Sequence, residues 1–221
     1  MGRRLLRDEG GFTLTEMLVT MMMMLVVMYA LYSIFDMSIR VFSFGNDKVE
    51  AIENARIGLE KMARELRAAY PANNVDTDPS QTVDNRKKNL FWTAGAPTTA
   101  VMPVQGGNQV TFGNDLNGNR RIYDPTTGAL DPGEQITYGL DAVNNRLLRN
   151  GDPVAENVKD VDGDEKALTF TYLDANGNTV TNEASIKRVR IRLEVSLKRG
   201  ISQKPGTQIL QTDVTLRNRS G

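Results

Sequence analysis

Gly11 to Phe35 reads GFTLTEMLVTMMMMLVVMYALYSIF, and this stretch decides how the rest of the chain is organised. From Met17 to Phe35 run nineteen residues without a charge. A helix rises about 1.5 Å per residue, so this run spans roughly 28 Å, close to the bilayer's hydrocarbon thickness of about 30 Å. Ahead of it stands a short polar segment, MGRRLLRDEGG, in which Arg3, Arg4 and Arg7 outweigh Asp8 and Glu9 by one charge. A secretory signal has an apolar stretch of about 7–15 residues and then a small-x-small cleavage site. This run is longer and exits into Asp36-Met37-Ser38-Ile39-Arg40. A plain signal anchor fits the length but leaves Glu16 unexplained. A carboxylate in a membrane helix costs about 2.5–3.5 kcal/mol on insertion scales, so it usually has a partner and a purpose.

Gly11 to Val19, GFTLTEMLV, resembles the prepilin cleavage site of type IV pilins and type II secretion pseudopilins. The resemblance implies that a prepilin peptidase/methylase cuts between Gly11 and Phe12 and methylates the new amino terminus at Phe12. It also puts Glu16 in the place of the family's glutamate, a registry charge for subunit docking. The chemistry agrees, because cleavage creates a cation at Phe12, and a buried cation or carboxylate left alone is expensive. The partner of Glu16 is then the amine of a neighbouring subunit or that of its own chain. The resemblance implies other pilin or pseudopilin subunits, an inner-membrane assembly platform and, before assembly, the lipid bilayer as partners. DNA joins them only in a competence pilus. Arg3, Arg4 and Arg7 on the cytoplasmic side give a single-pass inner-membrane protein with its C-terminal domain outside. Assembly would carry it into an extracellular or periplasmic filament. Many major pilins kink this helix with a proline midway. Here Ser33 occupies that region, and no proline lies between Phe12 and Tyr70, which leans towards a minor subunit.

After Asp36 the pattern becomes amphipathic. Ile39, Phe42, Val49, Ile52, Ala55, Leu59, Met62, Leu66 and Ala69 recur at helical steps and predict a stripe that covers the chain's own sheet. Gly45 and Gly58 each weaken a helix by about 1 kcal/mol against Ala, and Gly45 is a candidate bend. Pro71 ends the element. The expected parts are a leader (1–11), a membrane and filament-core helix (12–35), its amphipathic second half (36–70) and a β-rich domain (71–221).

Beyond a polar loop at Ala72–Arg86 the period switches from 3.6 to 2. Strands are predicted at Leu90–Ala94, Val101–Val104, Gln109–Phe112, Gln135–Leu140, Arg146–Arg149, Ala167–Leu173, Val189–Leu197 and Ile209–Arg217. Asn144-Asn145 and Asn176-Gly177 are turn signals. In the strand at Val189–Leu197, Val189, Ile191, Leu193, Val195 and Leu197 point inward, and Arg188, Arg190, Arg192, Glu194, Ser196 and Lys198 outward. An antiparallel sheet against the amphipathic helix makes an α+β domain, a pilin fold. The order VTFGNDLNGN, EQITYGL, NRLLR, VKDVDGDEKALTFTYLDANGN and TDVTLRN resembles PilW-type minor pilins and GspJ-type pseudopilins.

Composition narrows the chemistry. The 221 residues contain no His and no Cys, so triads built on His, thiol nucleophiles, iron–sulfur centres and His-ligated zinc are excluded. Lys and Arg number 27, as do Asp and Glu, which argues against a general nucleic-acid binder. Without the leader, 24 basic residues face 25 acidic ones. Seven of the ten methionines lie between Met17 and Met37, where they read as flexible apolar packing. No spacing pairs carboxylates as acid and base, and no enzyme is expected.

Asp115, Asn117 and Asn119 put oxygens at alternate positions, as in the opening of a calcium loop, with Asp124, Asp131 or Glu134 to complete it. Arg120 replaces the glycine such a loop requires. Asp160, Asp162 and Asp164, and again Asp174, Asn176 and Asn178, repeat the alternation, which Asx-Gly turns also produce. No resident cofactor is expected apart from Ca2+ at such a loop. Arg188, Arg190 and Arg192 share a strand face, which suits either solvent or DNA phosphates. The competing reading of the whole chain is a signal-anchored extracellular binding domain, with or without calcium, that never polymerises.

Overall fold

The computed structural model describes residues 11–71, 90–92, 102–119, 122, 127, 129–159, 166–197 and 206–217. The chain divides into two compact units, Met1–Gly45 and Asn46–Gly221. A long helix, α1 (Leu14–Arg67), begins in the first and ends in the second. Seven strands follow: β1 (Gln109–Gly113), β2 (Gln135–Asp141), β3 (Arg146–Arg149), β4 (Asp152–Glu156), β5 (Leu168–Leu173), β6 (Arg188–Leu197) and β7 (Gly206–Thr215). The α+β class holds, but the strands form two antiparallel sheets, β1-β2-β3-β4 and β5-β6-β7.

In the second unit α1 buries Ala51, Ala55, Gly58, Leu59, Met62 and Leu66. These recur at three- and four-residue steps and form one helical face. The predicted stripe is too long at its start, since Ile39, Phe42 and Val49 are exposed. Gly58 has a purpose that its low helix propensity concealed. A Cβ there would stand 3.0 Å from the Ala155 Cβ and 3.3 Å from the Leu147 Cδ2, so the missing side chain lets β3 and β4 approach the helix. Two turns further on, Glu65 accepts a hydrogen bond from the Tyr138 hydroxyl at 2.7 Å and a forked bond from Arg149 Nε at 2.9 and 3.1 Å. Burial, with the Glu65 carboxylate beside it, raises the Tyr138 pKa well above its ordinary value. At the helix end the Tyr70 N–H donates to the Gly113 carbonyl at 2.7 Å, which hands the chain to the edge of β1 before Pro71.

The core joins both sheets to the helix. Phe112 stacks on Tyr138 at 6.4 Å, and Phe91 meets Tyr172 edge-on at 5.5 Å. The inward set of β6 is buried as its alternation predicts, but Glu194, on the outward parity, is covered as well: it is 0% exposed. The Arg192 guanidinium donates to its carboxylate at 3.1 Å, a charge-assisted bond that a buried carboxylate needs.

Strand β4 is absent from the sequence expectation. It follows a tight turn in which Asn150 (φ 52°) and Gly151 (φ 91°) both adopt left-handed backbone, as the hairpin turn requires. Pro153 argues against a strand in a sheet centre, yet β4 is an edge, and the register shifts between Leu147 and Leu148 opposite it. Conversely, Met102 to Val104 form no strand. Residues 90–92 contribute only a bridge from Phe91 to Phe112. Thr93, Ala94, Val101 and the Ala72–Arg86 loop lie outside the described residues.

Candidate functional site

Thr13 and Glu16 close the start of α1 reciprocally. The Glu16 N–H donates to Thr13 Oγ1 at 3.3 Å, and Glu16 Oε2 accepts from the Thr13 N–H at 3.4 Å and its hydroxyl at 3.3 Å. This is a capping box, and its Thr-x-x-Glu signature at Thr13–Glu16 was present in the sequence but unused. The carboxylate also complements the positive end of the helix dipole. Gly11 and Phe12 precede the helix in non-helical backbone. Both are exposed, with Phe12 80% accessible. Behind them, large apolar residues from Leu14 to Phe42 remain exposed, and the window that would lie in a bilayer is 0% buried. The segment is long and apolar enough to cross a membrane by length and composition. So large an apolar surface demands a lipid or protein cover.

The family model described as the prokaryotic N-terminal methylation motif matches residues 6–32. The chain carries a prepilin-type methylation motif. That motif supports a type IV pilin or pseudopilin subunit, and it implies processing by a prepilin peptidase and assembly with other pilins. With the single apolar N-terminal helix it fits a membrane-anchored pilin. Families carrying the prepilin-type motif are structural, not catalytic. Comparison with curated proteins and with solved structures gave no match.

The β-domain holds the remaining candidates. At the β1–β2 end, Asp115 Oδ1 accepts from the Gly118 N–H at 2.8 Å, and Asn117 Oδ1 from the Asn119 N–H at 2.8 Å. The Asn117 and Asn119 amides both donate to Asp131 Oδ2, at 3.1 and 2.6 Å. Beneath this loop sits Glu134, 1% exposed. Its Oε1 accepts from the Leu116 and Asn117 N–H groups at 3.0 and 3.1 Å. Burial raises its pKa, opposed by those two bonds and assisted by the charges of Asp131 and Asp115. Asn114, 5% exposed, adjoins it and donates its backbone N–H to the Glu134 carbonyl at 2.9 Å. The alternating spacing thus brings Asp115, Asn117, Asn119 and Asp131 together, while Asn114 lay outside the pattern. Among the described residues no three acidic groups converge closely enough to hold a metal by themselves. Asp124 and Asp160, Asp162 and Asp164 lie outside the described residues.

Asp174 Oδ1 accepts from the Asn176 and Asn178 N–H groups, at 2.7 and 2.9 Å, around Gly177 with φ 91°. The backbone N–H of Asn178, above all, holds this carboxyl below its usual range. These oxygens serve a turn. The arginine row is likewise occupied within the chain. Arg190 grips Asp213 with two bonds of 2.8 and 2.9 Å, Arg192 spans the Lys166 carbonyl and Glu194, and Arg188 donates to the Ala175 carbonyl. That geometry supports braces across the face of β5-β6-β7 more than a free row for phosphates. Lys198 lies outside the described residues.

Proposed function

We propose that the chain is a minor pilin or pseudopilin, a structural subunit of a type IV pilus or of a secretion or competence pseudopilus. In this reading the precursor is cut between Gly11 and Phe12, Phe12 is N-methylated, and the apolar helix moves from the inner membrane into the filament core. The carrying observation is the methylation-motif match at residues 6–32, opening a helix whose apolar window is 0% buried among the described residues. Support for a minor subunit comes from the proline-free helix and from an order of sequence segments that resembles PilW-type minor pilins and GspJ-type pseudopilins. The capping box gives Glu16 two successive tasks. It closes the helix in the precursor, and after cleavage its carboxylate is four residues from a new cation at Phe12. Pairing with a neighbouring subunit's amine would then draw it away from Thr13.

Mass spectrometry of the mature N-terminus tests the reading. An N-methylated Phe12 start is expected, and an intact Met1 or Gly2 start would overturn it in favour of an anchored domain that never polymerises. Glu16→Ala should be cleaved normally yet enter filaments poorly, and normal incorporation would refute the registry role.

A further inference from the structure

Asparagine followed by glycine occurs three times in the chain, at Asn117-Gly118, Asn150-Gly151 and Asn176-Gly177. Each pair lies in a connection between consecutive strands: β1–β2, β3–β4 and β5–β6. The step is chemically labile, because glycine has no Cβ to shield its backbone nitrogen from the preceding side-chain amide. All six residues are exposed, so access to water does not separate the three. Their side chains are held differently. Asn150 Oδ1 accepts from the Thr137 N–H at 2.7 Å, and its amide donates to the Gln135 carbonyl at 3.0 Å. Asn117 Oδ1 accepts from the Asn119 N–H at 2.8 Å, and its amide donates to Asp131 Oδ2 at 3.1 Å. Asn176 is held only through its backbone N–H, on Asp174 Oδ1 at 2.7 Å, and among the described residues its side-chain amide has no partner. The attacking nitrogens differ in the same sense. The Gly118 N–H is bound to the Asp115 carboxylate at 2.8 Å, whereas the Gly177 N–H reaches the Asp174 carbonyl at a long 3.3 Å.

We propose that Asn176 is the site at which this chain spontaneously deamidates, with Asn117 and Asn150 protected by the fold. The Gly177 nitrogen attacks Asn176 Cγ. The N–Cγ bond forms, the Cγ–Nδ2 bond breaks, and ammonia leaves with the proton that the Gly177 nitrogen gives up. Solvent water then opens the cyclic imide at either carbonyl, which gives aspartate or isoaspartate with no change of oxidation state. Swinging Cγ towards the next nitrogen costs Asn176 no side-chain hydrogen bond, while Asn117 and Asn150 must each break two. The product puts a second carboxylate into the turn centred on Asp174, and isoaspartate also lengthens the main chain there. The assignment is independent of the filament reading.

The test is incubation of the detergent-solubilised full chain at mildly alkaline pH, followed by peptide mapping in a mass spectrometer with aspartyl and isoaspartyl products resolved. Because each protected asparagine must first give up two hydrogen bonds, Asn176 should convert about tenfold or more faster than Asn117 and Asn150 in the folded chain. The same incubation in denaturant removes those bonds and should bring the three rates together. Asn176→Gln should abolish the dominant product, since the longer side chain closes its ring much more slowly, and should leave Asn117 and Asn150 unchanged. Asn117 or Asn150 keeping pace with Asn176 in the folded chain would overturn the assignment, and so would an Asn176 that converts only after unfolding. A ranking that survives unfolding overturns it too, because it would then come from the neighbouring sequence and not from the fold.

Discussion

Glu65→Ala should loosen the joint between α1 and the first sheet. The wild-type carboxylate accepts from the Tyr138 hydroxyl at 2.7 Å and from Arg149 Nε at 2.9 Å, with side-chain exposures of 17% for Glu65 and 24% for Arg149. A hydrogen bond to a charged group contributes about 1.5–3 kcal/mol. The ion pair lies between the two limiting cases: exposed pairs give about 0–1 kcal/mol, and breaking a fully buried one costs about 3–5. Truncation also strands a hydroxyl on Tyr138, which is 0% exposed. Together these terms give a loss of about 3 kcal/mol. For a chain of this size that lowers the melting temperature by about 6–12 °C. The assay is thermal unfolding of the detergent-solubilised full chain, followed by the emission of buried Trp92. A double-mutant cycle isolates the contact: Tyr138→Phe alone should cost about 1 kcal/mol, and nothing or less than nothing in the Glu65→Ala background. If Glu65→Ala costs under about 0.5 kcal/mol, or the two changes simply add, the carboxylate is not what joins helix and sheet.

Gly113→Ala should destabilise by about 1–3 kcal/mol, because its Cβ would meet Trp92 at 2.7 Å and Ile122 at 2.8 and 2.9 Å. A shifted Trp92 emission maximum would accompany it, and a wild-type melting curve would show that the contact relaxes freely. Asp213→Asn should cost less than about 1 kcal/mol at neutral pH, since the Arg190–Asp213 pair is partly solvated. Arg190 holds the Asp213 carboxyl below its ordinary range, so its contribution is present above the unfolded pKa of about 3.9 and disappears as pH falls through the lower folded value. The melting difference between wild type and variant should therefore close in acid; a gap that widens below pH 4 would contradict the pairing.

The elements visible in the sequence are those fixed by local periodicity. Strand β6 shows its buried set at every second residue from Val189 to Leu197, and α1 shows its apolar run. What escaped depends on neighbours distant along the chain. Strand β4 carries no local periodicity, and its Pro153 suits only an edge position that nothing local reveals, although Asn150-Gly151 before it is a strong turn signal. Glu194 obeys the outward parity but is covered, with Arg192 on its carboxylate. The same limit shaped the sites. Gly11, Phe12 and Glu16 stand within six residues and are legible as a motif. The Asn114–Glu134 contact forms across the β1–β2 connection, so the alternating oxygens at Asp115, Asn117 and Asn119 carry no signal of it.

Gly58 and Glu65 together make the contact between α1 and the first sheet a keyed joint. The notch at Gly58 receives Ala155 of β4, and seven residues on, Glu65 locks to Tyr138 of β2 and Arg149 of β3. Sliding the helix by one turn would withdraw the notch from its knob and empty the lock at once. Intermediate positions are therefore poorer than either seated contact alone. Torque or pull reaching residues 51–67 would pass into three strands as a rigid displacement, with release only by outright separation. Such a coupling is brittle and not elastic, so a subunit built this way would transmit load up to a threshold and then fail.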